Sequence, residues 1–177
     1  SNTIQFPDGE NTGLSSGNWI VFESDRHKPL LDSLPGGPLA WYDSLLPFKD
    51  LYRIPAAGGV PELVAGGPWD EKMPSFGPSD SQFVFVSNRS GLDNIYLWQD
   101  SAGSVSVRPL TNLLTGCFTP SWSRDGTRLA FSLFEAGGWD IYLMSDPLSK
   151  VLEGELPRTS FMRAAEDSAE FFRPPVW

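Results

Sequence analysis

Cysteine and histidine are almost absent from this sequence, which contains one of each in 177 residues. Cys117 cannot form an internal disulfide by itself, and we expect it to be a small buried hydrophobic residue in the segment T-G-C-F-T-P. With one histidine, His27, and no clustered acidic motif, the sequence lacks the usual ligand sets of zinc and calcium sites. A P-loop and a dinucleotide fingerprint are also missing. The sequence therefore predicts neither a metal nor an organic cofactor.

Long apolar runs and an excess of basic residues are missing as well. No segment approaches the roughly 18 consecutive apolar residues that a membrane-spanning helix needs, so we predict no membrane span. The 13 Lys and Arg residues are outnumbered by 22 Asp and Glu residues, which gives a formal net charge of −9. A surface of that sign repels phosphate backbones and anionic lipid. Nucleic acid is therefore not an expected partner.

One short motif matches a hydrolase pattern without the parts that hydrolysis needs. G-L-S-S-G at residues 13–17 fits the G-x-S-x-G nucleophile elbow, which requires a strand, a sharp turn, a helix and a histidine base. Here the motif directly precedes a predicted strand, and His27 is the only histidine in the sequence. We therefore interpret Ser15 as a turn residue, assign no catalytic residues and predict that the chain is not an enzyme.

What the sequence does contain is a repeat of aromatic and β-branched residues. Two segments align without a gap at a spacing of 46 residues: P-S-F-G-P-S-D-S-Q-F-V-F-V-S at 74–87 and P-S-W-S-R-D-G-T-R-L-A-F-S-L at 120–133. The same offset places N-I-Y-L-W at 94–98 on D-I-Y-L-M at 140–144. Short runs rich in Val, Ile, Phe and Tyr alternate with clusters of Gly, Pro, Asp and Ser, which are typical of turns. Four short strands in roughly 40–50 residues is the period of a propeller blade.

The pattern predicts five strands and one tight hairpin turn in these two units. The strand candidates are residues 83–87, 94–98, 105–110, 128–134 and 140–144. Gly126, in the segment R-D-G, is expected to supply the positive φ angle of the hairpin. Residues 161–170 fit either a helix of about two turns or an extended connection between blades.

An earlier copy of the repeat is interrupted by an insertion. S-G-N-W-I-V-F-E-S at 16–24 and D-L-Y-R-I at 50–54 match strands of the later units. Arg26 and Asp50 are 24 positions apart, whereas the equivalent Arg89 and Asn94 are 5 apart, so the first copy carries 19 extra residues. The insertion at 27–48 is apolar and aromatic although it replaces a turn. Either it serves recognition or it folds back to cap an open sheet, and both interpretations stay open.

These units resemble the TolB-like β-propeller repeat, a relative of the WD-repeat propellers. The family pattern runs P-x-W-S-P-D-G, I-A-F-x-S, R-x-G, D-I-Y and L-T. Residues 120–126, 129–132 and 140–142 carry P-S-W-S-R-D-G, L-A-F-S and D-I-Y, and the match extends over residues 15–147. The departures are Glu135, which stands where the family has arginine, and a first unit without a clear P-x-W start.

The resemblance implies that the motif residues are structural. Trp122 and Phe76 would pack between blades. Asp50 and Asp140 would bond to turn amides or to a neighbouring arginine. One tyrosine of each unit would fill the core between sheets: Tyr52, Tyr96 and Tyr142.

The predicted fold is all-β, a partial β-propeller of about three four-stranded antiparallel blades. We place blade one at 1–66 with its inserted loop at 27–48, blade two at 67–116, blade three at 117–160, and a connection to a further blade at 161–177. R-P-P-V-W at 173–177 repeats the P-x-W spacing, as if another blade began there. Because three blades leave apolar faces open, we expect either a longer propeller or a homodimer through the open propeller edges.

For function, the resemblance implies a non-catalytic interaction module that binds a protein or peptide partner. The insertion is the predicted recognition element, and its candidate partner-binding residues are His27, Trp41, Tyr42 and Asp43. Bacterial TolB-like propellers are typically extracytoplasmic, so we expect a periplasmic or extracellular location. Two alternatives remain. One is the propeller of a prolyl-oligopeptidase-like serine peptidase whose catalytic domain lies elsewhere, and the other is a sugar-active propeller, which the single histidine disfavours.

Overall fold

The computed structural model describes residues 18–24, 48–67 and 69–159, and these residues form ten β-strands and one 3-10 helix. The 3-10 helix spans Pro147–Lys150. The segment at 161–170, considered above as a helix or a connection, lies outside the described residues. The strands are β1 (Trp19–Ser24), β2 (Asp50–Pro55), β3 (Glu62–Ala65), β4 (Glu71–Phe76), β5 (Gln82–Ser87), β6 (Asn94–Ser101), β7 (Ser104–Pro109), β8 (Cys117–Trp122), β9 (Arg128–Glu135) and β10 (Gly138–Ser145).

The strands form three antiparallel sheets that follow one another in chain order. Sheet A contains β1-β2-β3, sheet B contains β4-β5-β6-β7, and sheet C contains β8-β9-β10. Sheet B lies between the others, because β4 meets β1 and β2 of sheet A while β8 of sheet C meets β4, β5 and β6. The predicted all-β arrangement of consecutive antiparallel blades is confirmed. Within the described residues, only sheet B shows all four strands of a blade.

Sheet B is buried on both faces because another sheet packs on each side of it. All six residues of β5, Q-F-V-F-V-S, are buried. Phe83 and Phe85 lie in an apolar cluster shared with sheet A, which also contains Leu51 and Trp98. Because side chains alternate along a strand, β5 also contributes to a second cluster shared with sheet C. That cluster contains Val84, Ile95, Leu97, Cys117, Trp122, Leu129, Phe131 and Leu133.

The 46-residue repeat reappears as a repeat of backbone and side-chain geometry. Met73 in β4 and Thr119 in β8 have positive φ angles of 54° and 49°, and both lie where the pairing of their strands shifts register. The amide nitrogen of Thr119 lies 3.4 Å from the sulfur of Met73, so equivalent positions of neighbouring blades touch. Each sheet also contains one stacked Phe–Tyr pair with ring centroids 6.0–6.1 Å apart: Phe22–Tyr52, Phe85–Tyr96 and Phe131–Tyr142.

The turn between β8 and β9 has the geometry that S-R-D-G-T predicts. Gly126 has a φ of 75°, and a Cβ at this position would lie 2.9 Å from Pro78 of the neighbouring sheet. Asp125 Oδ1 accepts hydrogen bonds from the Ser123 hydroxyl and from the amide and hydroxyl of Thr127. These bonds, the Ser123 bond first, favour the charged carboxylate and lower the pKa of Asp125 to about 2. The hydrogen bonds of Asp125 hold the turn in the conformation that places Gly126 against Pro78 of sheet B.

The tyrosines of the repeat do not all fill the core. Tyr96 is 3% exposed, as the resemblance implied, and Tyr52 is half-buried, but Tyr142 is 37% exposed on β10. The difference follows the place of each strand in its sheet, because β6 pairs with β7, whereas β10 is an edge strand among the described residues. Arg89 lies over the Tyr96 ring at 4.9 Å, whereas Glu135 accepts a hydrogen bond from the Tyr142 hydroxyl, which raises the pKa of that hydroxyl. The expectation of a core tyrosine in the third unit was wrong.

Candidate functional site

The insertion predicted to carry the partner-binding residues is described only at its end. β1 ends at Ser24, and the chain is described again from Phe48, just before β2. Four candidate residues therefore lie outside the described residues: His27, Trp41, Tyr42 and Asp43.

The end of the insertion is anchored to the neighbouring sheet. The amide of Lys49 donates a hydrogen bond to Asp70 Oδ1 at 3.0 Å, and the carbonyl of Lys49 accepts one from the Glu71 amide at 2.7 Å. The Asp70 amide in turn donates to Asn88 Oδ1 at 2.8 Å. The insertion therefore rejoins the fold where sheets A and B meet. We name this edge of the sheets the upper rim, and it comprises residues 48–49, 66–67, 69–70, 88–93 and 110–116.

A cleft lies on the upper rim beside this anchor. One wall is the chain segment that follows sheet C. This segment crosses sheet B from Leu152, whose amide donates to the Pro109 carbonyl at 2.8 Å, to Thr159, whose amide donates to the Ser90 carbonyl at 2.9 Å. The lining combines aromatic, aliphatic and charged side chains, and includes Trp69, Arg89, Tyr96, Val107, Leu156 and Arg158.

A buried ion pair holds the arginine of this cleft in place. Glu71 is 0% exposed, and its carboxylate accepts hydrogen bonds from the Arg89 guanidinium at 2.5 Å and from the Trp69 indole at 2.6 Å. Arg89 also lies over the rings of Tyr96 and Trp69, at 4.9 Å and 5.5 Å. Burial raises the pKa of Glu71, and the charge of Arg89 opposes this only in part. Arg89 is therefore a fixed cation on the upper rim.

In sheets A and B, the residue that precedes the L-Y or I-Y pair of the repeat contacts the connections between sheets. Asp50 is buried, and its Oδ1 accepts a hydrogen bond at 3.2 Å from a backbone amide of the β3–β4 connection, as the resemblance implied. Asn94 occupies the same position in sheet B and accepts from the Thr111 hydroxyl at 2.9 Å and the Leu113 amide at 2.8 Å. Asp140, in sheet C, is exposed. At the upper rim, hydrogen bonds to Asp50 and Asn94 therefore hold the connection between sheets A and B and the connection between sheets B and C.

The described part of the chain offers neither a set of metal ligands nor an accessible thiol. Residues 18–24, 48–67 and 69–159 contain no group of three or more His, Cys, Asp and Glu side chains that could hold a metal ion. Cys117 is fully buried, as expected, and burial raises the pKa of its thiol, which makes the thiolate scarce. Ser15 of the G-x-S-x-G motif lies outside the described residues. The same ranges include no helix that is long and apolar enough to cross a membrane.

Two curated proteins are similar to parts of this chain. The TolB homolog of Chlorobium luteolum is 46% identical over 68 residues, which are 37% of this chain and 15% of that protein. The TolB homolog of Chlorobium chlorochromatii is 41% identical over 81 residues, which are 46% of this chain and 16% of that protein. The matched part of the chain thus spans less than one-fifth of the length of either relative.

Solved structures share the fold. The structure of TolB from Acinetobacter baumannii superposes with a TM-score of 0.52 and 17% identity, over 78% of this chain and 30% of that chain. These blades are TolB-like. A second TolB structure, from Agrobacterium tumefaciens, gives a TM-score of 0.51 and 23% identity over 60% of this chain and 40% of that chain. At these identities the structural likeness shows the fold alone, and the similarity in sequence rests on the two TolB homologs. No family model matches the chain.

The TolB-like pattern marks only part of the cleft. Arg89 is the arginine of the R-x-G motif, so the sequence carried a signal for it. Tyr96 belongs to the D-I-Y motif and was expected in the core. It is buried there, and it also lines one side of the cleft. Trp69 and Glu71 were not predicted, because they precede the P-x-W segment and belong to no motif of the repeat. An unaligned Trp two residues before Glu was the only available signal.

Proposed function

We propose that this chain is a non-catalytic TolB-like propeller module that binds a protein or peptide partner at its upper rim. The insertion at 27–48 is the recognition element. Trp41 and Tyr42 are its aromatic anchors, and His27 and Asp43 are the polar candidates of the same loop. The observation that most supports this is the hydrogen bonding of Lys49, which ties the end of the insertion to the upper rim beside the cleft.

The position of the insertion favours recognition. Sheet B has a short connection at the equivalent place, closed by a hydrogen bond from the Gly91 amide to the Asn88 carbonyl at 2.7 Å. A blade therefore needs only a few residues there, and the 19 extra residues of the first copy exceed what the fold requires. Large aromatic side chains are unfavourable in water, and Trp and Tyr are enriched among the residues that dominate binding energy at interfaces.

The cleft supplies a second, preformed part of the proposed surface. Trp69 and Tyr96 are held by Arg89, and Val107 and Leu156 pack against the apolar cluster between sheets A and B. A concave surface with apolar walls and a few fixed polar groups suits an extended peptide segment. Because hydrogen bonds and ion pairs already hold these side chains, little rotamer entropy is lost when a partner binds.

The proposal places this module in the periplasm and gives it no catalytic role. The location follows from the similarity to bacterial TolB homologs. A binding role is supported by the cleft, where the carboxylate of Glu71 accepts hydrogen bonds from Arg89 and Trp69 and so holds the side chains of the cleft in place. No feature of the described residues favours the peptidase alternative.

Selection of peptides from a displayed random library tests this function. The comparison variant replaces residues 27–48 with Ser-Gly-Leu, which gives sheet A the short connection that sheet B has. We expect selected peptides to bind the wild-type chain and to lose affinity roughly thirty-fold or more for the variant, since one interface hot spot is worth about 2 kcal/mol. Trp41→Ala with Tyr42→Ala should reproduce most of this loss.

A matched control changes an exposed apolar residue away from the upper rim. Val60, in the β2–β3 turn at the other end of the sheets, is 83% exposed, and Val60→Ala should bind peptides like the wild type. Thermal unfolding followed by circular dichroism must show that the loop-replaced variant is folded. If that variant is unfolded, the insertion caps the sheet and the recognition role is wrong. Equal peptide affinity of the folded variant and the wild type would contradict the proposal as well.

A further inference from the structure

One face of sheet C has the composition of an interface between blades but is exposed. Ile141 is 84% exposed, Trp139 60%, Leu143 59% and Phe134 41%. The rings of Phe134 and Trp139 meet edge to face at 5.4 Å, so the apolar surface is continuous across β9 and β10. Single exposed apolar residues are ordinary, but a contiguous patch of this kind marks an interaction surface. We name it the open face, and it comprises Ala130, Ser132, Phe134, Trp139, Ile141 and Leu143.

The repeat shows what such a face contacts. Ile95 and Leu97 of sheet B occupy the positions of Ile141 and Leu143, 46 residues earlier, and they are 0% and 1% exposed. Leu51 occupies the position of Ile95 in sheet A and is also 0% exposed. In each case the next sheet in the chain covers the face. The residues of sheet C that cover Ile95 and Leu97 include Trp122, Leu129 and Phe131.

We propose that the open face binds sheet A of a second copy of this chain. Val21 of β1 packs toward sheet B, so the alternate residues Ile20 and Phe22 lie on the opposite face of sheet A. There Phe22 stacks on Tyr52, as the equivalent pair of sheet C does on the side that faces sheet B. Sheet A of the second copy therefore offers the open face the same kind of surface that sheet C offers sheet B. The contact continues the interface already present between sheets B and C.

The proposed contact is head to tail, because it joins two different surfaces of the same chain. Head-to-tail contacts close into rings when the rotation between copies allows it. Two copies would bring together six sheets, three from the described residues of each copy. Six lies within the four to eight blades that close a propeller, and closure leaves neither apolar face in water. The open face is separate from the upper-rim cleft, so this proposal does not rest on the proposed function.

Sedimentation velocity over a concentration series tests the association. The expected species is a dimer with twice the mass of one chain. Ile141→Glu combined with Leu143→Glu should weaken dimerisation roughly thirty-fold or more, the effect of losing at least one hot spot. Val105→Glu adds one negative charge at a 54% exposed position on β7 and is the control for introducing a glutamate on an exposed strand. It should leave the dimer unchanged.

A mixing experiment distinguishes head-to-tail pairing from pairing of two open faces. Ile20→Glu damages the proposed surface of sheet A and keeps the open face, whereas the Ile141 and Leu143 double variant does the reverse. Each variant alone should be monomeric, and an equimolar mixture should recover a dimer through the one intact interface. Circular dichroism melting checks that Ile20→Glu is folded, and Ile20→Ser is the milder substitution if it is not.

Three results would overturn the proposal. The first is a strict monomer at the highest concentration. The second is a dimer that the double substitution leaves intact, which would place the contact elsewhere. The third is a dimer of Ile20→Glu alone while the double variant alone is monomeric, which would show that the open face pairs with itself.

Discussion

Ile95 in sheet B and Ile141 in sheet C occupy the same position of the repeat. Replacing each of them separately with alanine compares how much the same side chain stabilises a covered sheet and an uncovered one. The two isoleucines stand 46 residues apart in the repeat, but Ile95 is fully buried and Ile141 is 84% exposed. The substitution removes three carbon atoms, which at about 0.8 kcal/mol for each buried carbon corresponds to about 2.4 kcal/mol. The cavity left between sheets B and C adds to this. We therefore expect Ile95→Ala to lower the free energy of unfolding by about 3–4 kcal/mol.

Ile141→Ala leaves no cavity in the single chain, so its free energy of unfolding should stay within about 0.5 kcal/mol of the wild-type value. Urea unfolding followed by tryptophan fluorescence measures both variants, at dilutions where the chain is monomeric. The midpoints should differ while the m-values stay equal. Leu97→Ala and Leu143→Ala form a second matched pair. Similar losses for the two isoleucines would refute the reasoning, because they would show that the open face is covered within one chain.

Three further substitutions test individual contacts. Asn94→Ala should lower the free energy of unfolding by about 2–3 kcal/mol in urea, because it leaves the buried Thr111 hydroxyl and the part-buried Leu113 amide without their acceptor, and a loss below about 0.5 kcal/mol would contradict this. Gly126→Ala should cost more than Gly103→Ala, since both have positive φ angles but only Gly126 lies against the neighbouring sheet; equal melting temperatures would exclude that contact. The pKa of Glu71 is raised, so its contribution to stability is fully present below its ordinary pKa of 4.5 and is lost as pH rises through the folded-state value. The pKa of Asp125 is lowered instead, so its contribution to stability is lost only as pH falls from 3.8 toward about 2. Above pH 4.5, therefore, Glu71→Gln should flatten the dependence of the urea midpoint on pH. An unchanged slope would contradict the assignment to Glu71.

The blades could be predicted from the sequence because each one needs the same residue types at the same strand positions. Phe85 and Phe131 each stack on the tyrosine of the next strand, at the spacing that the sequence alignment gave. The positive φ of Gly126 was predictable for a similar reason, because a tight turn imposes a local requirement that R-D-G satisfies. Periodic and local constraints of this kind are written directly into the residue order.

The cleft could not be predicted in the same way. Glu71 and Trp69 join Arg89 only because the β3–β4 connection folds against the β5–β6 connection, and no local pattern marks a buried ion pair. The exposure of Tyr142 was missed because the core role of a repeat residue depends on what lies beside it. Tyr142 lies on β10, an edge strand among the described residues, and the sequence did not show that no described strand covers it there.

The packing of equivalent strands from neighbouring blades is the contact that makes these sheets consecutive propeller blades. Nuclear Overhauser spectra of the isotope-labelled chain measure it directly. A Cβ built on Gly77 would lie 3.0 Å from the Trp122 ring, so the α-protons of Gly77 should show strong cross-peaks to the indole protons of Trp122. The Met73 methyl group should likewise show a cross-peak to the amide proton of Thr119, 46 residues away. If both pairs of cross-peaks are missing in a well-dispersed spectrum, β4 and β8 do not lie side by side and the chain is not built from consecutive propeller blades.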